Sequence, residues 1–430
     1  MQQSRTVVSG LLRRLTSGQS DATVAFNLGL RHLSNTSSAQ HVQPAPVDDL
    51  TAESFEDKPR WKRELGAIRT DWTREEVAEV FNTSLLDLVF NAAAIHRQHN
   101  DPSMVQRCTL LSIKTGGCPE NCNYCSQSSS WSKETGTKAE KLMELEAVYE
   151  AALRAKASGS TRFCMGAAWR GPSQVGKGQF ARVLEMVRRI RSLDMEVCTT
   201  LGMLTPDQAA ELRTAGLTAY NHNLDTSKEY YKKVTTSRNY EDRLATIENV
   251  RQAGISVCAG GIIGLGEGHM DRVGLLHQLA TLPAHPESVP INALVAVKGT
   301  PFEDKEAPTG LDVVRCVATA RVLMPRTVVR LSAGRLEFSF ADQALCFLAG
   351  ANSIFDGDKL LTTPNNDRNE DEAMFQLLGL QSRPAFMDYA AGNDSSREFD
   401  PSTCKRRAEG EAAAVAAAGG GSKQQQQERA

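Results

Sequence analysis

The sequence predicts an α/β fold, namely a (β/α)8 barrel of the TIM type with N-terminal and C-terminal extensions. Between residues 105 and 360, short apolar segments rich in β-branched residues alternate with longer amphipathic segments, and this alternation is typical of parallel sheets. The short segments number eight, and their first residues lie 24 to 53 positions apart, which fits the repeat of a closed barrel. A doubly wound open sheet is the alternative.

The order of the elements follows from the same pattern. The predicted strands are residues 108–115, 161–168, 195–201, 219–225, 256–265, 288–295, 327–333 and 353–355. The clearest helical segments are residues 142–157, 180–193, 206–215 and 243–253. Glycine follows these segments at Gly159, Gly216 and Gly254, as expected where helices end. Gly264-x-Gly266 does not indicate a dinucleotide-binding turn, because the fingerprint needs glycine at position 269, where His269 stands.

The two ends of the chain differ in composition from the barrel region, residues 71–385. Residues 1–40 contain four arginines, many serines and threonines, and one acidic residue, as in an organellar transit peptide. We assign residues 1–45 to such a peptide and favour the mitochondrial matrix over the plastid, because Arg13 and Arg14 lie in an amphipathic pattern; a disordered tail is the alternative. Residues 46–70 form a charged lead-in, and residues 386–430 form a low-complexity tail that cannot bury a core.

Composition narrows the classes of partner. The 430-residue chain has a formal net charge of −2, so we expect no nucleic acid partner. No apolar run approaches the roughly 18–20 residues that a membrane span requires, so we expect no membrane partner. Ten cysteines, in a chain of this size with no evident secretory segment, favour metal binding or catalysis over a disulfide framework.

Three cysteines form the most informative motif. Cys118, Cys122 and Cys125, called here the cysteine triplet, stand in the run Cys-Pro-Glu-Asn-Cys-Asn-Tyr-Cys, just after the first predicted strand, where barrels build active sites. Three thiolates can hold three irons of a 4Fe–4S cluster and leave the fourth iron open to a substrate, whereas electron carriers usually supply four cysteines. A zinc site is the alternative, but no second cysteine or histidine pair follows at zinc-finger spacing.

A second set of residues lies inside predicted strands. Cys164, Cys198 and Cys258, called here the strand cysteines, fall in the second, third and fifth strands, and Arg330 falls in the seventh. Groups from different strands can converge inside one barrel, so a second metal site and a set of buried core cysteines are both open at this point. A buried cysteine is commonly just a small apolar side chain. Arg330 is an unusual ligand because a protonated guanidinium has no lone pair, so a salt bridge or a hydrogen bond to sulfur is its alternative role.

Longer segments resemble the biotin synthase family of the radical S-adenosylmethionine (SAM) superfamily. They are Ser-Ile-Lys-Thr-Gly-Gly-Cys at 112–118, Thr-Arg-Phe-Cys-Met-Gly-Ala-Ala-Trp at 161–169, Tyr-Asn-His-Asn-Leu-Asp-Thr at 220–226, Val-Pro-Ile-Asn at 289–292, Val-Arg-Leu-Ser-Ala-Gly-Arg at 329–335 and Ala-Gly-Ala-Asn-Ser-Ile-Phe at 349–355. The resemblance runs from about residue 70 to residue 380. It implies a sulfurtransferase that converts dethiobiotin to biotin by radical chemistry.

The resemblance also implies the roles of particular residues. The cysteine triplet would bind the 4Fe–4S cluster that cleaves SAM to a 5′-deoxyadenosyl radical, and the strand cysteines with Arg330 would bind a sulfur-donating 2Fe–2S cluster; the triplet and Cys198 are the catalytic residues. Tyr124, Asn223, Asp225, Arg243 and Gly264 would contact SAM. Asn221, Asn292, Thr362 and Thr363 would contact dethiobiotin. The alternatives are that the Asn and Asp side chains satisfy turn backbone, that Arg243 is a solvated charge, and that tight turning explains the glycine.

The implied partners complete the prediction. They are a reduced electron-transfer protein, the iron–sulfur assembly machinery and a second copy of the chain in a homodimer. Lipoyl synthase, a related sulfur-inserting enzyme, needs a further upstream cysteine triplet, and here only Cys108 precedes Cys118. A non-catalytic zinc or iron–sulfur binding module is the alternative from another class. Of the remaining cysteines, we expect Cys108 and Cys346 in the core, Cys316 in helix packing and Cys404 in the tail.

Overall fold

The computed structural model describes residues 56, 58–357, 359–366 and 368–386. The chain divides into two units, Met1–Ser54 and Phe55–Ala430, and every described residue belongs to the second. The predicted transit peptide, Cys404 and all but the first residue of the predicted tail lie outside the described residues. Those assignments stay predictions.

A closed barrel of parallel strands forms the centre of the fold. The strands are β1 (Met104–Lys114), β2 (Arg162–Ala167), β3 (Glu196–Thr200), β4 (Ala219–Asn221), β5 (Ser256–Cys258), β6 (Gly261–Ile263), β7 (Ser288–Ala293), β8 (Val328–Leu331) and β9 (Ala351–Phe355). Strand β1 pairs with both β2 and β9, which closes the barrel. β5 and β6 share one barrel position because both pair with β7. The predicted eight-stranded barrel is therefore confirmed, and the open-sheet alternative is wrong.

The fifth barrel position is the main difference from the predicted strands. The sequence predicts one strand over residues 256–265, but the structure interrupts it at Ala259 and Gly260. A Cβ atom on Gly260 would lie 2.0 Å from the carbonyl oxygen of Pro290, so only glycine allows the neighbouring strand to approach this closely. Beyond the interruption, Ile262 N donates to Asp225 O at 2.7 Å. This hydrogen bond joins Asp225, which follows β4, to β6.

The described helices lie between the strands or flank the barrel. They are α1 (Arg60–Arg63), α2 (Arg74–Asn82), α3 (Leu85–His99), α4 (Ser132–Thr135), α5 (Leu145–Ala157), α6 (Lys177–Arg191), α7 (Pro206–Thr214), α8 (Tyr231–Val234), α9 (Tyr240–Gln252), α10 (His269–Ala280), α11 (Gly310–Leu323), α12 (Phe340–Leu348) and α13 (Arg368–Leu378). The glycines predicted to end helices have positive φ, +89° at Gly159 and +72° at Gly254, as helix C-caps require. Helix α9 starts earlier than predicted because Asn239 and Asp242 form a capping box.

Three short strands were not predicted. Strands β10 (Lys359–Leu360) and β11 (Thr363–Pro364) form an antiparallel pair, and β12 (Gln381–Ser382) adds to the first residues of β1. Two-residue strands carry too little periodicity for sequence analysis to find them. No single described helix is long and apolar enough to cross a membrane, although α2 and α3, with a 111° bend between them, pass the length and composition test as a pair.

The apolar core has two parts that matter for function. The larger part fills the layer between strands and helices, as in other barrels. A smaller cluster packs the barrel interior and contains Cys108, Cys164, Cys198, Ala219, Phe355 and Leu360. Sulfur-bearing side chains are therefore concentrated inside the barrel.

Candidate active site

A cavity of about 330 Å³ opens into the barrel, and most of the predicted site residues line it. Those that do are Cys118, Cys122, Tyr124, Cys125, Cys164, Cys198, Asn221, Asn223, Asp225, Arg243, Asn292, Arg330, Thr362 and Thr363. Cys258 and Gly264 are the predicted residues outside the lining. Residues from distant parts of the chain thus meet in one space.

The cysteine triplet lies in the loop after β1, and hydrogen bonds hold this loop in place. Within it, Cys118 N donates to Gln127 O at 2.9 Å and Cys125 N donates to Cys122 O at 3.1 Å. Asn121 joins it to residues 235–237, because its Oδ1 accepts from Thr235 Oγ1 at 3.0 Å, from Thr236 N at 3.0 Å and from Ser237 N at 2.9 Å. The triplet is therefore positioned by a second loop as well as by β1.

Charged residues next to the triplet were missed by the sequence analysis. Arg238 Nη2 donates to Cys122 Sγ at 3.7 Å, and Glu120, only 2% exposed, accepts a hydrogen bond from Ser237 Oγ. Arg170 Nη1 lies 3.3 Å from Glu120 Oε1. Glu120 could have been found from its place inside the motif. Arg238 and Arg170 could not, because no spacing relates them to the triplet.

Two thiols of the triplet have raised pKa values and are therefore protonated before metal binds. Burial raises the pKa of Cys118, and burial together with the neighbouring Cys122 raises the pKa of Cys125 to about 12. Thiols in this state must release protons when iron binds. Among the described residues, no three His, Cys, Asp or Glu side chains lie close enough together to hold one metal ion. A cluster gives each thiolate its own iron, so the triplet fits a cluster better than zinc.

The strand cysteines and Arg330 converge on the barrel interior. Cys164 lies opposite Cys198 in the β2–β3 register, and Cys258 lies opposite Asn221 in the β4–β5 register. Arg330 Nη1 donates to Cys258 Sγ at 3.6 Å and its Nη2 donates to Cys108 Sγ at 3.5 Å. The structure thus brings the predicted set together. It also adds Cys108, which we predicted only as core.

The guanidinium of Arg330 is bound by neutral groups and sulfur. It is 1% exposed, its Nε donates to Ser353 Oγ at 2.9 Å, and its Nη2 also donates to Gln106 Oε1 at 3.1 Å. Burial alone would lower the pKa of Arg330, but the sulfurs of Cys108 and Cys258 raise it overall. Arg330 thus makes hydrogen bonds to neutral groups and to sulfur in the described residues, and its role as an iron ligand stays a prediction.

Three of the residues predicted to contact SAM make polar contacts in the structure. Arg243 pairs with Asp225 and its Nε donates to Tyr231 Oη at 3.0 Å. Burial alone would lower the pKa of Arg243, but Asp225 raises it well above its ordinary value. The alternative of a solvated surface charge for Arg243 is therefore wrong. Asn223 Oδ1 accepts from Gly260 N at 3.2 Å and from Asn221 Nδ2 at 3.1 Å.

Of the remaining predicted site residues, Thr362 and Asn292 line the cavity and Gly264 does not. Thr362 lies beside the triplet loop, with its Oγ1 3.3 Å from Ser126 Oγ, and Asn292 Nδ2 donates to Gly261 O at 2.9 Å. Gly264 has φ +92° and a Cβ there would meet Pro308 at 2.6 Å, so turn geometry accounts for this glycine. Ile262 lines the cavity on that side instead.

His222, given no site role by the sequence analysis, also faces the cavity. It is 3% exposed, and its Nε2 has no hydrogen-bond partner among the described residues. Burial holds the pKa of His222 well below its ordinary value. The imidazole is therefore neutral, and its Nε2 is a buried polar atom without a partner among the described residues.

Comparison with known proteins identifies the family. Residues 112–279 match the profile of the Radical SAM superfamily, and residues 290–381 match that of the Biotin and Thiamin Synthesis associated domain. The chain is 60% identical over 317 residues to "Biotin synthase, mitochondrial" of Arabidopsis thaliana, which covers 74% of this chain and 83% of that protein. It is 54% identical over 325 residues to a biotin synthase of Schizosaccharomyces pombe, which covers 75% and 88%.

The chain belongs to the biotin synthase family. It is therefore a radical SAM enzyme that inserts sulfur into dethiobiotin to form biotin, and its cofactors are SAM, a 4Fe–4S cluster and a 2Fe–2S cluster. The crystal structure of methylornithine synthase superposes with a TM-score of 0.63 at 17% identity, covering 76% of this chain and 97% of that one. The hydrogenase maturase HydG from Carboxydothermus hydrogenoformans gives 0.62 at 18%, covering 74% and 77%. These two likenesses show the fold alone.

Proposed function

We propose that the cysteine triplet binds the 4Fe–4S cluster and that the strand cysteines, with Arg330, bind the 2Fe–2S cluster. The observation that carries this proposal is that Cys118, Cys122, Cys125, Cys164 and Cys198 line one cavity. When bound, the 4Fe–4S cluster supplies the electron that cleaves SAM, and the 2Fe–2S cluster supplies the sulfur atom. The triplet, Cys164 and Cys198 face the same space, which would give the substrate access to both clusters.

The protein's part in the reaction is to bind, orient and shield. Asn221 and Asn292 each carry an amide with both donor and acceptor atoms, which suits the ureido ring of dethiobiotin. The backbone N–H groups of Thr362 and Thr363 suit its carboxylate. Leu110, Ile262, Phe355 and Leu360 give the cavity apolar walls, and such walls keep water from a reactive radical.

Asp225 and Arg243 serve SAM as a pair. The ion pair is buried, with side chains 2% and 6% exposed, and a carboxylate in this position offers oxygen acceptors that suit ribose hydroxyls. Asp225 has φ +67°, an uncommon backbone conformation for a residue other than glycine, and such conformations cluster at ligand sites. Arg243, as a planar donor, also suits the SAM carboxylate. Tyr124 lies in the lining next to the triplet.

The proposal extends to assembly and location. Leu86 and Phe90, one turn apart on α3, are 80% and 74% exposed, and adjacent exposed apolar side chains favour an interface between copies. We therefore propose a homodimer, tested by light scattering of Phe90→Glu, which becomes monomeric if α3 is the interface. A mitochondrial matrix location rests on the arginine-rich, acid-poor N-terminus. The reaction also requires an external electron donor and the iron–sulfur assembly machinery.

The test of function is anaerobic. Reconstituted protein with SAM, a reductant and dethiobiotin is sampled by mass spectrometry for 5′-deoxyadenosine and biotin, with Asn292→Ala as a substrate-site variant. Both products form in the wild type, and Asn292→Ala raises the dethiobiotin concentration needed for half-maximal biotin formation. Asn292→Ala that needs no more dethiobiotin than the wild type would contradict the assigned substrate contact.

A further inference from the structure

Cys108 is a fourth thiol at the site formed by the strand cysteines and Arg330. It lies in β1, its side chain is fully buried, and it packs in the same interior cluster as Cys164 and Cys198. Its Sγ is 3.5 Å from Arg330 Nη2 and 3.8 Å from Ser353 Oγ. Cys346, by contrast, is equally buried but lies in α12, away from this group.

Arg330 lies between two sulfur atoms. Its Nη1 donates to Cys258 Sγ and its Nη2 to Cys108 Sγ, at 3.6 Å and 3.5 Å. A guanidinium in its ordinary charged form donates hydrogen bonds and has no lone pair to offer iron, whereas thiolate is the usual ligand of iron–sulfur clusters. Arg330 is thus a poor iron ligand, and a good one, the Cys108 thiol, lies within hydrogen-bond reach of it.

The reaction provides a reason for an additional iron ligand at this position. A 2Fe–2S cluster that supplies sulfur to biotin would depend on protein side chains to keep its iron in the barrel. Serine or an apolar residue at position 108 would fill the space, but of these side chains the thiol is the usual ligand of iron–sulfur clusters. Burial of Cys108 away from solvent also prevents its adventitious oxidation.

We propose that Cys108 is a reserve thiolate ligand, which binds the iron facing Arg330 whenever Arg330 does not. The thiol releases its proton as its sulfur binds iron, and no change in oxidation state is required. This inference rests on the proposed function, in which the strand cysteines hold the 2Fe–2S cluster.

The experiment removes the two candidate ligands separately and together. Wild type, Arg330→Met, Cys108→Ala and Arg330→Met/Cys108→Ala are reconstituted with ⁵⁷Fe, and Mössbauer spectra quantify the 2Fe–2S and 4Fe–4S clusters separately. Retention of the 2Fe–2S cluster is then followed against an iron chelator. Arg330→Met/Cys346→Ala is the matched control, because it also removes a buried cysteine but not one at the site.

Each single variant is expected to keep the 2Fe–2S cluster, since one of the two ligands remains. The Arg330→Met/Cys108→Ala protein loses it, with at least about tenfold weaker retention than Arg330→Met/Cys346→Ala, as is typical when a metal site loses support. Equal retention in these two double variants would overturn the proposal, and so would loss of the cluster in Cys108→Ala alone. Absence of a 2Fe–2S cluster from the wild type would instead refute the proposed function.

The 4Fe–4S signal distinguishes ligand loss from misfolding. It depends on the triplet loop and is unchanged in all five proteins if the barrel folds. If Arg330→Met/Cys108→Ala loses both clusters and its circular dichroism spectrum shows that it is unfolded, Arg330→Met/Cys108→Ser takes its place, because serine keeps a polar group of similar size. In that protein the 2Fe–2S cluster is again retained less well than in the Cys346→Ala control, or the proposal is wrong.

Discussion

The cysteine triplet and the strand cysteines are built in different ways. The triplet occupies residues 118–125 of one loop, and hydrogen bonds that residues 235–237 donate to the Asn121 side chain hold that loop. The strand cysteines lie 34 and 60 positions apart along the chain, and strand register brings them together. The loop site therefore depends on a few local contacts, whereas the barrel site forms when the barrel closes.

This difference predicts that the two sites fail separately. Sites that share no partners behave almost independently when one is mutated. A change in the triplet should remove SAM cleavage and leave the barrel site intact. A change in the strand cysteines should do the reverse. The predictions below test this separation.

The largest expected effect is that of Cys118→Ala. Loss of one of the three thiolates destabilises the 4Fe–4S cluster. The formation of 5′-deoxyadenosine therefore falls by about a thousandfold or more, because a metal centre contributes several kcal/mol of transition-state stabilisation. The product is measured by mass spectrometry under anaerobic conditions, with Cys346→Ala as the control for loss of a buried cysteine. SAM cleavage by Cys118→Ala at the wild-type rate would contradict the triplet assignment.

Cys198→Ala should separate the two activities. Because Cys198 lies in β3 and not in the triplet loop, SAM cleavage stays within about twofold of the wild type, the spread expected for independent sites. Biotin formation stops, since the 2Fe–2S cluster loses a ligand. Both products are measured in the same reaction. Undiminished biotin formation would remove Cys198 from the ligand set.

The barrel should depend on a buried ion pair near the strand cysteines. Glu196 Oε2 accepts from Arg162 Nε at 2.7 Å and from Gln106 Nε2 at 3.0 Å. Glu196→Gln removes the negative charge beside buried Arg162, and we expect the free energy of unfolding to fall by about 3–5 kcal/mol. The measurement is urea unfolding at pH 7. A loss below about 1 kcal/mol, the value of an exposed pair, would show that the pair does not stabilise the barrel.

The same variant gives a pH test. Burial alone would raise the pKa of Glu196, but Arg162 lowers it overall. A carboxylate with a lowered folded pKa contributes stability that is present above its unfolded pKa, about 4.3, and that is lost as the pH falls below it. The difference between wild type and Glu196→Gln should therefore shrink below pH 4.3. A difference that grows there would have the wrong sign.

The smallest predicted effect concerns the triplet loop. Asn121→Ala removes three accepted hydrogen bonds, two of them from backbone N–H groups, and should weaken the loop by about 1–3 kcal/mol. Asn123→Ala is the matched control, because the Asn123 side chain makes one exposed bond, to Lys233 O at 2.9 Å. The measurement is 4Fe–4S retention against a chelator. Equal retention by the two variants would show that residues 235–237 do not hold the triplet.

How far the sequence predicts this protein depends on how each feature is encoded. The barrel and the triplet could be predicted because apolar segments repeat regularly and because Cys118, Cys122 and Cys125 are close in sequence. The strand cysteines were found through resemblance, since their spacing alone has no meaning. Cys108 and Arg238 were missed because their contacts depend on strand register and loop packing. The interruption at Gly260 was missed because its cause, the close approach of Pro290, is a tertiary contact.

The most direct test of the account is a cluster inventory by ⁵⁷Fe Mössbauer spectroscopy of wild type, Cys118→Ala and Cys198→Ala. We predict 4Fe–4S and 2Fe–2S clusters in the wild type, only the 2Fe–2S cluster in Cys118→Ala, and only the 4Fe–4S cluster in Cys198→Ala. Loss of both clusters in either variant, with the fold intact by circular dichroism, would contradict two independently built sites.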